Sequence, residues 1–95
     1  MREVRLAEEA LAAIAEQLAT VPELLEPFAT QDLSRGLRIL AQSYDELPAH
    51  GPGRRYTDQL SKSVAFFHLF ATLDDDETVV VYHVDIWLNE SPDDR

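Results

Sequence analysis

Two stretches rich in β-branched and aromatic residues, Val64 to Leu73 and Thr78 to Leu88, flank four consecutive acids, Asp74-Asp75-Asp76-Glu77. Runs of this kind around a polar turn predict an antiparallel hairpin, and a hairpin dictates which side chains share a face. A two-residue turn at Asp75-Asp76 and a four-residue turn from Asp74 to Glu77 give the same pairing. One face then carries Ala65, Phe67, Leu69, Ala71 and Leu73 opposite Ile86, Val84, Tyr82, Val80 and Thr78. That set is nearly all apolar and should cover helices. The other face carries Val64, Phe66, His68, Phe70 and Thr72 opposite Trp87, Asp85, His83, Val81 and Val79. His68 and His83 become direct cross-strand partners, with Cβ atoms about 4.5–5.5 Å apart, and Asp85 lies two residues further along. A three-residue turn would move one strand's side chains to the opposite face. The even turns are preferred because they alone give both strands a consistent apolar face.

Upstream the period changes. Glu3 to Leu6 reads as a short strand, and Ala7, Ala10, Leu11, Ile14 and Leu18 follow the spacing of an amphipathic, alanine-rich helix. Thr20-Val21-Pro22-Glu23 reads as a stop and restart, with Thr20 and Glu23 in capping-box positions and Pro22 in the first turn. Pro27 should break the turn begun by Leu24 and Leu25. Thr30 or Asp32 can cap a second helix with Leu33, Leu37, Leu40, Ala41 and Tyr44 along one face. Gly36 either weakens that helix by about 1 kcal/mol or lets the first helix come close. Pro48 to Gly53 reads as a loop, and Tyr56 to Leu60 as a weak third strand. The order predicts one α+β domain over residues 1–95, with two N-terminal helices packed on one face of a small twisted antiparallel sheet.

Composition narrows the function classes. The chain has 95 residues, 18 acidic and 8 basic, for a net charge of −10, so free nucleic acid is repelled rather than bound. The 45% hydrophobic content argues against disorder. With no cysteine, disulfides and thiolate metal sites are excluded. No apolar run approaches the roughly 18 residues of a membrane span, and no signal-peptide core follows Met1-Arg2-Glu3-Val4-Arg5, so the expectation is a cytoplasmic chain without membrane contact. Gly51-Pro52-Gly53 lacks the strand before it and the Lys-Ser/Thr after it that a phosphate loop needs. The acidic run lacks the spacing and glycine of a calcium loop, and no serine-nucleophile motif is present. No cofactor is expected.

Three groups remain as candidate sites. His68, His83 and Asp85 can serve as an acid/base set near neutral pH or as metal ligands with open positions; the plainer alternative is two half-buried histidines filling an interface. Arg54, Arg55 and Lys62 can contact an anion or phosphate, or simply offset a very acidic surface. Phe66, Phe70 and Trp87 form either an aromatic patch of the kind that meets a partner, a homodimer contact included, or a second small core under the C-terminal tail.

The order of elements, with Phe67-His68-Leu69-Phe70-Ala71-Thr72-Leu73 entering an acidic turn and Thr78-Val79-Val80-Val81-Tyr82-His83-Val84 leaving it, resembles the RelE/ParE superfamily of bacterial toxins. The resemblance implies a divergent toxin of a type II toxin-antitoxin system, with two helices on one side of the sheet and a working surface on the other. It further implies a cognate acidic antitoxin and either ribosome-dependent mRNA cleavage or gyrase poisoning. The chain departs from the pattern at His68, where the family carries arginine, and at Asp85-Ile86-Trp87-Leu88-Asn89-Glu90, where a nuclease is basic. The alternative on the same fold is a non-enzymatic protein-binding module.

Overall fold

The computed structural model of the chain describes residues 1–60 and 65–88. Lys62 and Val64 of the expected sites lie outside the described residues. The chain is α+β, with helices against a five-stranded mixed sheet ordered β1-β5-β4-β3-β2. Strand β1 (Glu3–Leu6) leads into helix α1 (Glu8–Gln17), and a second helical passage ends before β2 (Ala49–His50), β3 (Gly53–Gln59), β4 (Phe66–Asp75) and β5 (Thr78–Trp87). The expected all-antiparallel sheet is corrected at one edge. Four strands are antiparallel neighbours, but β1 runs parallel to β5, pairing Val4 with Val79 and Leu6 with Val81. The stretch between them, which runs through α1, the second helical passage and strands β2 to β4, more than meets the long connection a parallel pair requires.

The second helical passage differs from the expected capped helix. A 3₁₀ turn (Pro22–Leu24), the single turn α2 (Leu25–Pro27), a π-helical segment (Phe28–Leu33) and α3 (Ser34–Ser43) follow one another without a gap. Pro27 changes the pitch instead of ending the helix. Its ring opposes the carbonyl four residues back, and the wider turn of Phe28–Leu33 follows at once. Phe28 and Leu33 are buried in the core, which offsets the cost of an interior proline. Neither proposed cap acts as one: Thr30 donates its hydroxyl back to the Glu26 carbonyl at 2.9 Å, and Asp32 is buried and accepts from Arg35 at 3.2 Å. Thr20 and Glu23 form no box either, because Val21 stands at the N-cap without a side-chain bond. The expected loop at Pro48 to Gly53 contains a tight hairpin instead, with Gly51 at φ 56° and Pro52 between the paired His50 and Gly53.

The core lies between the helices and one sheet face. Ala10, Ile14, Leu18, Phe28 and Leu40 pack against Phe67, Leu69, Ala71, Val79, Val81 and Val84. At the end of α1, the Gln17 amide donates to the Val84 carbonyl and accepts the Ile86 N–H, both at 2.6 Å. These bonds lie along the part of β5 that β1 does not reach.

The hairpin register is the main correction to the expected pairing. The turn is Asp76-Glu77, one residue later than either even turn expected. His68 lies opposite Asp85, Phe70 opposite His83, and Phe66 opposite Trp87. Between Phe70 and Ala71 the register shifts by one, because Tyr82 is an extra residue on β5; a second irregularity falls at Asp74. The Tyr82 bulge inverts the strand beyond it. Val79 and Val81 point into the core, in place of the expected Val80 and Tyr82. A bulge adds one unpaired residue and re-aims the strand around it, so the two halves of β5 bury sets of opposite parity.

Candidate functional site

The face turned away from the helices carries a continuous row of rings. Gln59, Thr57 and Arg55 of β3 stand beside Phe66, His68 and Phe70 of β4, which stand beside Trp87, Asp85 and His83 of β5. Phe66 and Trp87 stack with centroids 6.0 Å apart and planes 11° apart, and the Phe66 edge meets His68 at 5.5 Å. All three histidines gather around Phe70: His50 at 4.6 Å, His68 at 5.7 Å and His83 at 5.8 Å. They bury Phe70, whereas Phe66 remains 41% and Trp87 56% exposed. The aromatic patch expected from Phe66, Phe70 and Trp87 is therefore an exposed pair and a third ring under imidazoles.

His68 and His83 share the face, but diagonally rather than as direct partners. Each has its own neighbour. His83 donates from Nε2 to Asp85 Oδ1 at 2.9 Å, which leaves Nδ1 as the ring's acceptor when neutral. His68 Nδ1 lies 2.7 Å from the Thr57 hydroxyl. Burial holds the His68 imidazole below the ordinary value of 6.5, with Arg55 pushing the same way and Asp85 opposing both. An imidazole depressed in the fold takes up its proton more readily in the unfolded chain. Its contribution to stability is thus intact above about 6.5 and is lost as pH falls from there through the lower folded value. His68→Gln is expected to flatten part of that fall. Urea midpoints at pH 7.5 and pH 5 for both proteins check this, and equal losses would refute it.

The expected cation cluster separates. Arg54 and Arg55 are neighbours on β3 and point to opposite faces. Arg54 turns toward the helices, donates to the Leu47 carbonyl at 2.7 Å and lies 5.6 Å from the Tyr44 ring centroid. Arg55 turns to the histidine face opposite Phe70, and its Nε is buried with no hydrogen-bond partner among the described residues. A buried donor left unpaired costs about 1–3 kcal/mol. Arg2, Arg5 and Arg35 have carboxylate partners, in Asp45, Asp74, and Asp32 with Asp58, respectively. Arg55 has none among the described residues.

Two features were missed from sequence. His50 joins the site only through the β2–β3 hairpin, whose signal was the Gly51-Pro52 pair. A polar network also ties α3 to β3: Arg35 donates to Asp58 at 2.8 Å and to the Gln59 carbonyl at 3.0 Å, and the Tyr56 hydroxyl donates to Asp58 at 2.6 Å. Burial would raise the Asp58 carboxyl, but the bonds from Tyr56, the Gln59 N–H and Arg35 outweigh it and hold it below 3.8. Its spacing signal, Asp32 and Arg35 three apart on a helix, reads as structural support.

Among the described residues no group of three or more histidine, aspartate or glutamate side chains converges to hold a metal ion. No helix among them is long and apolar enough to cross a membrane. One cleft lies between the N-terminus, α3 and the acidic turn, and another beside Pro27, both away from the ring-bearing face. No family model matches the chain, and no curated protein matches it.

Proposed function

We propose that the chain is a protein-binding module whose outer sheet face docks a partner protein. The observation that carries this is the stacked Phe66–Trp87 pair, left exposed at one end of a face otherwise filled by packed rings. Exposed aromatics of this kind supply the anchor residues of interfaces. A charge of −10 disfavours the dense phosphate charge of nucleic acid on that face. The likeness to the RelE/ParE toxins adds an antitoxin, the ribosome or gyrase as partner classes. A photo-crosslinking residue at position 87, compared with one at the exposed Leu11 on the helical side, tests the reading in cells. A stoichiometric protein adduct at 87 and none at 11 is expected; equal or absent adducts would overturn it.

The second reading, a divergent RelE/ParE-like toxin that cleaves mRNA on the ribosome, is favoured by one observation. The His83–Asp85 bond orients an imidazole whose free nitrogen can take a proton, with His68 and Arg55 on the same face. Induced expression of the wild type beside His83→Ala and Asp85→Ala tests it. Absence of growth arrest removes the toxin reading, and arrest that survives both substitutions removes the catalytic roles.

A further inference from the structure

We propose that Arg55, with His50 and His68 around Phe70, forms a subsite on the outer face for one carboxylate of an acidic, apolar segment of the partner. The proposal rests on reading this face as a docking surface. Four observations carry it. Arg55 has no carboxylate within the described fold, and its Nε–H is buried without an acceptor. Turning the guanidinium outward would present the Nε–H and an Nη–H as parallel donors, the geometry that grips a planar carboxylate at two points. His68 stands close enough for Arg55 to depress its ionisation. When the Thr57 hydroxyl donates to Nδ1, the neutral His68 ring carries its hydrogen on Nε2 and can donate it. Phe70 and the exposed Phe66–Trp87 stack continue the same strand row, so an apolar group beside the carboxylate finds rings to lie on.

A carboxylate suits this site better than a phosphate. One arginine matches a single negative charge, whereas a dianion meets the same cation and twice the repulsion from the remaining surface. The chain's own acids do not forbid a monoanion here. The acidic turn lies at the far end of the hairpin, and charges further than about 8 Å are screened at physiological salt. Asp85, which stands opposite His68, is engaged by His83.

The test titrates the full chain with N-acetylphenylalaninate, its uncharged amide and inorganic phosphate, following the Arg55 Nε–H and His68 ring resonances by NMR. The carboxylate is expected to shift both in a saturable manner and to slow exchange of the Arg55 Nε–H. The amide, and the carboxylate against Arg55→Gln, should each bind weaker by roughly tenfold or more. Arg55→Lys, which retains the charge but loses the two-point edge, should also weaken binding. Equal binding of acid and amide, phosphate matching the carboxylate, or an unmoved Arg55 resonance would each overturn the proposal. The wild-type resonance decides the matter even if a variant fails to fold. Carboxylate binding without any adduct at position 87 would leave the subsite standing and remove the docking reading; the reverse result would remove only the subsite.

Discussion

Phe67→Ala is expected to lower the free energy of unfolding by about 3–5 kcal/mol. The Phe67 ring is fully buried, meets Phe28 edge-on at 5.3 Å and lies 6.1 Å from Tyr56. It therefore joins the π-helical segment to the centre of the sheet. Truncation loses the transfer free energy of the ring and leaves a cavity that two rigid aromatic neighbours cannot close. A domain of this size has a total stability of about 5–15 kcal/mol, so the substitution removes a large share of it. Urea unfolding followed by circular dichroism measures the shift. A midpoint close to wild type would show that Phe28 can collapse into the space.

Gly53→Ala should be nearly as damaging, for a different reason. A Cβ at Gly53 would fall on the Ala71 carbonyl oxygen, 2.8 Å from the Ala71 carbonyl carbon and 3.0 Å from Thr72 Cα. These are backbone atoms of the neighbouring strand, so no side-chain rotation relieves the clash. β3 and β4 must part at this point, and overpacking of this kind costs about 1–3 kcal/mol or more. The separation also reaches the site, because Gly53 pairs with His50, whose ring covers Phe70. Thermal unfolding should show the loss, and the His50 ring resonances should move toward solvent-exposed values. A variant with wild-type stability and an unchanged His50 would contradict the geometry.

What sequence could and could not reveal is best seen on β4 and β5. Phe67, Leu69, Ala71 and Leu73 keep one parity throughout, and all of them face the helices as alternation requires. On β5 the apolar residues change parity, from Val79 and Val81 to Val84 and Ile86. No unbroken strand can bury both pairs. The change of parity is legible in the residues, whereas unbroken alternation places Val80 and Tyr82 inside. The deciding partner was β1, whose Val4 and Leu6 meet Val79 and Val81 across a parallel pairing. That contact joins residues at the two ends of the chain, beyond the reach of a local pattern. The same distance problem hid the separation of Arg54 from Arg55, which follows only once β3 is a strand. His68, His83 and Asp85 did reach one face, because the two-residue shift of their register preserves parity.

The glutamine at the end of α1 has a consequence for how this molecule can meet another. β1 covers only the first part of β5, and the remainder would present bare backbone donors and acceptors, an open template for a strand from a second molecule. The Gln17 amide offers Val84 and Ile86 the same donor and acceptor that such a strand would bring. A single side chain thus occupies this one edge of β5, where a further strand would pair. At this edge of the sheet a second strand would first have to displace the Gln17 amide from Val84 and Ile86.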